Sequence, residues 1–156
     1  MSYPTVAEII AQVESGTSGG VRGIRFEADL FEKIRKPENR SAAQNLCIKK
    51  IAKINQCSGD TAMEIFCTSY GKFQILGETL YSTLQYQKPV QVFFADVTEQ
   101  EAAFQTFLKI HSFTYPGESL LSDATLRETF ARFYNGPGNV SDYCERIVEA
   151  GAFLMK

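Results

Sequence analysis

The chain has 156 residues, the size of one compact domain, and its 44% hydrophobic and 22% charged residues are the balance of a folded rather than a disordered protein. Sixteen basic against eighteen acidic residues leave a net charge of −2, and the one dense basic cluster, Lys49, Lys50 and Lys53, falls on an expected helix, which argues against nucleic-acid binding. No apolar run approaches the roughly 20 residues that span a bilayer, and no charged leader with an apolar core opens the chain, so a cytoplasmic protein without stable membrane insertion is expected.

Thr5 followed three residues later by Glu8 has the form of a capping box, so a helix is expected to begin there. Val6, Ile9, Ile10 and Val13 form its single apolar stripe, and Gly16 supplies the left-handed stop, which puts Glu14 in the last turn. The Gly/Ser-rich stretch 16–23 reads as a loop entering a short strand at Ile24–Glu27, where apolar and polar residues alternate. Ser41 can cap a helix burying Leu46, Ile48, Ile51 and Ile54, and Thr61–Cys67 reads as a short helix before an irregular segment, Tyr70–Gly77.

Val90–Ala95 fits a buried strand or a buried helix, and its neighbourhood favours helix. Thr98 with Glu101 suggests another capping box, ahead of a largely buried helix carrying Ala102, Phe104, Phe107, Leu108 and Ile110 to Phe113. Asp123 can cap a helix reaching Tyr134, and a last helix from about Ser141 turns Tyr143, Ile147, Val148 and Ala150 inward. Cys47, Cys57, Cys67 and Cys144 form no C-x-x-C pair and are expected to be reduced and mostly buried. The expectation is a mainly α domain over residues 1–156, a helical bundle with one small β-hairpin beside a cleft.

Glu14 is the residue with the most chemical promise. A carboxyl at a helix C-terminus faces the negative end of the macrodipole, and the apolar stripe beside it favours its neutral form. A neutral carboxylic acid is what a glycosidase needs to protonate a leaving oxygen, although a glutamate before a glycine cap is also an ordinary surface residue. Gln74, between Phe73 and Ile75, needs partners for its amide and could orient a sugar acetamido group or bond local backbone. Tyr134 and Asn135, at a helix end before Gly136-Pro137, could stack on and bond a sugar or serve only as helix-end packing.

Three motifs in order, Glu14-Ser15-Gly16, Gly71-Lys72-Phe73-Gln74-Ile75-Leu76-Gly77 and Phe133-Tyr134-Asn135-Gly136, resemble those of the lysozyme superfamily, as in soluble lytic transglycosylases and goose-type lysozymes. Val13–Gly16, Ile24–Glu27, Ser69–Gly77 and the Tyr-Asn-Gly-Pro run more closely resemble the phage N-acetylmuramidase endolysins. Lys72, Phe133 and Thr17 depart from the family pattern. The resemblance implies a lysozyme-like fold and a monomer that cuts bacterial peptidoglycan between N-acetylmuramic acid and N-acetylglucosamine, waiting in the cytoplasm until delivered to the wall.

Within that resemblance Glu14 matches the acid, and Glu27 is the second carboxylate, with an outward strand residue paired to Arg22 or Arg25 as the alternative. Ser15, Gln74, Tyr134 and Asn135 would bind substrate, and Tyr70, Phe73 and Tyr81 would supply the sugar platform in a chain without tryptophan. The same glutamate would serve a lytic transglycosylase forming 1,6-anhydro products, and a non-catalytic phage structural or binding protein could keep the fold. His111 lacks neighbours at ligand spacing, so no metal is assigned and no cofactor is expected; Ser15 has no His–Asp company, and Gly16, Gly19 and Gly20 do not make a phosphate loop.

Overall fold

A computed structural model describes residues 2–16 and 23–156, so most of the expected glycine-rich loop, Thr17 and Arg22 included, lies outside the described residues. The chain forms two compact units, one from Met1–Gly20 with Leu108–Lys156 and the other from Val21–Phe107.

The first unit is helical. Helix α1 (Val6–Ser15) opens on the expected capping box, with the Glu8 N–H donating to Thr5 Oγ1 at 3.1 Å and the Thr5 N–H to Glu8 Oε2 at 2.7 Å, and it stops at Gly16, whose φ is 66°. Ile9 and Ile10 are wholly buried, each contributing about 1.5–3 kcal/mol relative to exposure.

The other helices of this unit are the short α7 (Gly117–Ser122), α8 (Ala124–Asn135), capped by Asp123 as expected, and α9 (Val140–Leu154). Helix α9 packs on both α1 and α8. Its inward stripe is Tyr143, Ile147, Ala150 and Gly151; Val148 is exposed, contrary to expectation, because it lies about 100° round the helix from Ile147.

The second unit holds the sheet. Strand β1 (Ile24–Phe26) pairs antiparallel with β2 (Thr68–Tyr70) in the register Ile24↔Tyr70, and β2 pairs with β3 (Ile75–Leu76), giving the order β1-β2-β3. The mainly α class with a small β element is as expected. The irregular 70–77 segment, however, is the β2–β3 hairpin, and β1 finds a partner far along the chain. The expected short strand forms, and its apolar residues Ile24 and Phe26 are 59% and 48% exposed, because β1 is a three-residue edge strand with one neighbour.

Around the sheet lie α2 (Ala28–Ile34), α3 (Ala42–Asn55), α4 (Gly59–Phe66) and α5 (Val90–Ala95), while α6 (Val97–Ile110) includes residues of both units. Helix α3 carries the Ser41–Gln44 capping box and buries Cys47, Ile48 and Ile51; Leu46 lies off that stripe and is exposed. Val90–Ala95 is a helix. The Thr98–Glu101 box does not form: Asp96 Oδ1 accepts from the Thr98 N–H at 2.9 Å and the Glu99 N–H at 3.4 Å, while Glu101 pairs with Lys72 at 3.0 Å. Phe104, Phe107 and Leu108 are buried, whereas Ile110 is exposed.

All four cysteines are free thiols, and only Cys47 and Cys67 are fully buried. Burial is the first cause that lifts Cys47 to about 11 and Cys67 to about 12, which keeps both protonated and unreactive.

Gly77 closes the hairpin against the end of α4, where a Cβ would stand 1.9 Å from the Ile65 carbonyl oxygen, so a side chain there forces two backbone segments apart. Gly77→Ala is expected to destabilise the protein by about 2 kcal/mol or more, read from the urea midpoint. A second prediction concerns alkali. Burial lifts Tyr81 and Tyr115 to about 12, so the folded state holds phenol protons that the unfolded chain releases near 10. Stability should therefore fall as pH rises from about 10 to 12, with tyrosinate absorbance appearing together with loss of helical circular dichroism.

Candidate active site

Glu14 stands half-buried in the last turn of α1, as the capping pattern implied. The phenol of Tyr143, on α9 and 1% exposed, donates to Glu14 Oε1 at 2.7 Å. Burial first, and then Glu14 in its ionised form, push the Tyr143 hydroxyl well above its usual range, so it keeps its proton and acts as a donor. Tyr134, in the last turn of α8, is raised by the same two causes and stacks on Phe130 with centroids 5.4 Å apart. One carboxyl and two phenols from α1, α8 and α9 thus form one electrostatic cluster.

Arg146, one turn beyond Tyr143, donates from Nη2 to the Val13 carbonyl oxygen at 2.7 Å and lies over the Tyr143 ring at 5.6 Å. It occupies a carbonyl that the end of α1 would otherwise leave without a helical partner. Ser15 is buried, and Asn135 is the exposed final residue of α8, followed by Gly136.

The second unit carries the other predicted residues. Glu27 follows β1 and occupies the N-cap of α2. Its Oε1 accepts from Arg25 Nε at 2.8 Å and from Ser69 Oγ at 3.2 Å, and its N–H bonds the Cys67 carbonyl at 2.8 Å. With Arg25 largely exposed, this ion pair contributes at most about 1 kcal/mol.

Gln74 sits in the β2–β3 turn with φ 52°, and its Nε2 donates to the carbonyls of Gly23 at 3.0 Å and Gly71 at 2.9 Å. Both amide protons are used within the backbone, so Gln74 can meet a ligand only as an acceptor.

The aromatic platform expected on this unit is not there. Phe73 is buried and stacked on Phe104 at 4.3 Å, Tyr70 is buried in β2, and Tyr81 is buried with its hydroxyl on the Lys88 carbonyl at 2.7 Å. Their ring faces belong to the core.

Three residues escaped the sequence reading as site components. Tyr143 was placed only in the core, and Arg146 not at all. Gln100, 0% exposed, accepts the Lys72 N–H on Oε1 at 2.8 Å and donates from Nε2 to the Phe93 and Phe94 carbonyls at 3.2 and 3.0 Å. It fills the space beside Gly71, where a Cβ would meet it at 2.5 Å and where φ is 79°. The signal available was Gly71 at the head of the motif.

His111 packs 4.2 Å from the Phe133 ring, and burial lowers its pKa. Among the described residues no group of three or more His, Cys, Asp or Glu side chains is arranged to hold a metal, and no described helix is long and apolar enough to cross a membrane.

The N-acetylmuramidase family matches residues 49–153, a stretch that includes the 71–77 motif, Tyr134, Asn135 and Tyr143 but not Glu14. The chain is also similar to the endolysin of Enterobacteria phage PRD1, 35% identical over 154 residues that span 98% of this chain and 97% of that protein. No solved structure matches. By its family match and its near-full-length likeness to a phage endolysin, the chain belongs to the N-acetylmuramidases, glycoside hydrolases that degrade peptidoglycan.

Proposed function

We propose that the 156 residues act as one catalytic domain, a monomeric phage or prophage endolysin that cleaves peptidoglycan between N-acetylmuramic acid and N-acetylglucosamine with Glu14 as proton donor. The observation that carries this reading is the 2.7 Å bond from the buried Tyr143 phenol to Glu14 Oε1. A donor on Oε1 fixes the carboxyl plane and marks Oε1 as the carbonyl oxygen, so the transferable proton rides on Oε2.

As that proton passes to the glycosidic oxygen, Glu14 gains negative charge and the phenol bond becomes charge-assisted. Such bonds are roughly twice as strong as neutral ones, so Tyr143 stabilises the transition state more than the ground state. Glu27, which accepts from Arg25 and Ser69, is the second carboxylate of this reading, its role to balance positive charge on the sugar ring or to activate water. Gln74 offers its carbonyl oxygen, and Tyr134 and Asn135 offer hydroxyl and amide groups, to the glycan. Ser15, Tyr70 and Phe73 are buried and act as supports behind the surface. The likeness to an endolysin supports storage in the cytoplasm until release to the wall.

Glu14→Gln keeps the side-chain shape and loses the proton, so lysis of purified peptidoglycan should drop about 10²–10⁴-fold with little change in melting temperature. Tyr143→Phe should lower kcat about five- to tenfold with KM nearly constant, since it removes about 1 kcal/mol of differential hydrogen bonding. Mass analysis of the products should find reducing muramic-acid ends; 1,6-anhydro ends would instead assign a lytic transglycosylase.

A further inference from the structure

Beside the Glu14 helix the first unit holds an open concavity of about 310 Å³, lined by Gln12, Val13, Arg146, Glu149, Ala150 and Phe153. Nothing in the glycan chemistry assigned above uses it, and its chemistry is unusual for a bare surface. Arg146 and Glu149, one turn apart on α9, do not pair with each other: the guanidinium is turned to the Val13 carbonyl oxygen, which engages one of its five N–H donors. Phe153 continues the same face and is 59% exposed. Gln12 uses Nε2 on the Gly16 carbonyl at 3.0 Å, while its Oε1 is buried and meets no donor among the described residues. A buried acceptor without a donor is unfavourable, and a turn of the Gln12 side chain toward the concavity would let a ligand N–H satisfy it.

A cation, an anion, an unmet amide acceptor and an apolar ring around one recess match a short peptide that carries a carboxylate, an ammonium group and amide N–H groups. Gln12 and Val13 directly precede Glu14, and Arg146 rests on the ring of the tyrosine that holds Glu14. In peptidoglycan the peptide stem hangs from the muramic acid, the sugar whose bond is cut, so a recess next to the acid is where a stem would fall. Resting on the proposed muramidase reading, we infer that this recess is a stem-peptide subsite: Arg146 takes a stem carboxylate, Glu149 an ammonium, Gln12 Oε1 a backbone N–H, and Phe153 packs on the aliphatic part.

The direct test needs no catalysis. The synthetic tripeptide L-Ala-γ-D-Glu-meso-diaminopimelate is titrated into the wild-type protein by NMR or calorimetry, and into Glu149→Lys and Phe153→Ala, both exposed substitutions that leave the core intact. Saturable binding is expected, weakened at least tenfold by Glu149→Lys and severalfold by Phe153→Ala, and retained in Glu14→Gln. In parallel, Glu149→Lys should raise KM for intact peptidoglycan at least fivefold more than for glycan strands stripped of peptide by an amidase. Absence of saturable tripeptide binding, or equal KM changes on the two substrates, overturns the subsite. Failure of the muramidase reading shows separately, as loss of lysis on both substrates by the wild-type protein.

Discussion

The hydrogen bond from Tyr143 to Glu14 joins the last helix to the first, and the arrangement of the N- and C-terminal unit follows from making it possible. A carboxyl in the final turn of α1 needs a protein donor on one oxygen, and α9 supplies one by burying Tyr143 on the same stripe that packs Ile147 and Ala150. Arg146 then covers the phenol ring and takes the Val13 carbonyl, so one face of α9 both packs α1 and completes its C-terminus. Burial serves two ends at once. It keeps the phenol protonated, and it lowers the local dielectric in which a developing charge on Glu14 would be felt.

The second unit solves a different problem, that of holding a polar turn in a fixed shape. The β2–β3 turn carries two left-handed residues, Gly71 and Gln74, and two amide side chains tie it down. Gln100 reaches the Lys72 N–H from α6, and Gln74 reaches the Gly23 carbonyl ahead of β1. The Gln74 N–H also bonds the Gly71 carbonyl at 3.1 Å, so the turn is held by its own backbone and by both amides. The glycine–glutamine motif is therefore held in one shape by hydrogen bonds.

Local physics was legible in the chain. The α1 capping box, the Gly16 stop, the Asp123 cap and the placement of Glu14 in a last turn all depend on neighbours within four residues, and the structure has them. Long-range pairing was not legible. That Ile24–Phe26 would join Thr68–Tyr70 is a contact across more than forty residues with no local signature, and as an edge strand it leaves apolar residues outward that alternation alone would turn inward. Tyr143 read as core because its position on the stripe is core; its hydroxyl meets Glu14 only because α1 ends beside it. Phe73 and Tyr81 show the reverse error, since aromatic residues near a polar motif were read as a sugar platform when their burial makes them walls.

The assignment of Glu14 as an acid is tested most directly by comparing two leaving groups in Glu14→Gln. A natural sugar leaving group requires protonation, while a dinitrophenyl glycoside of the same muramic-acid donor departs without it. The account predicts that the variant loses about 10²–10⁴-fold on the natural linkage and less than about tenfold on the dinitrophenyl glycoside, whose departure needs no general acid. Equal losses on both substrates would contradict it and leave Glu14 a structural partner of Tyr143.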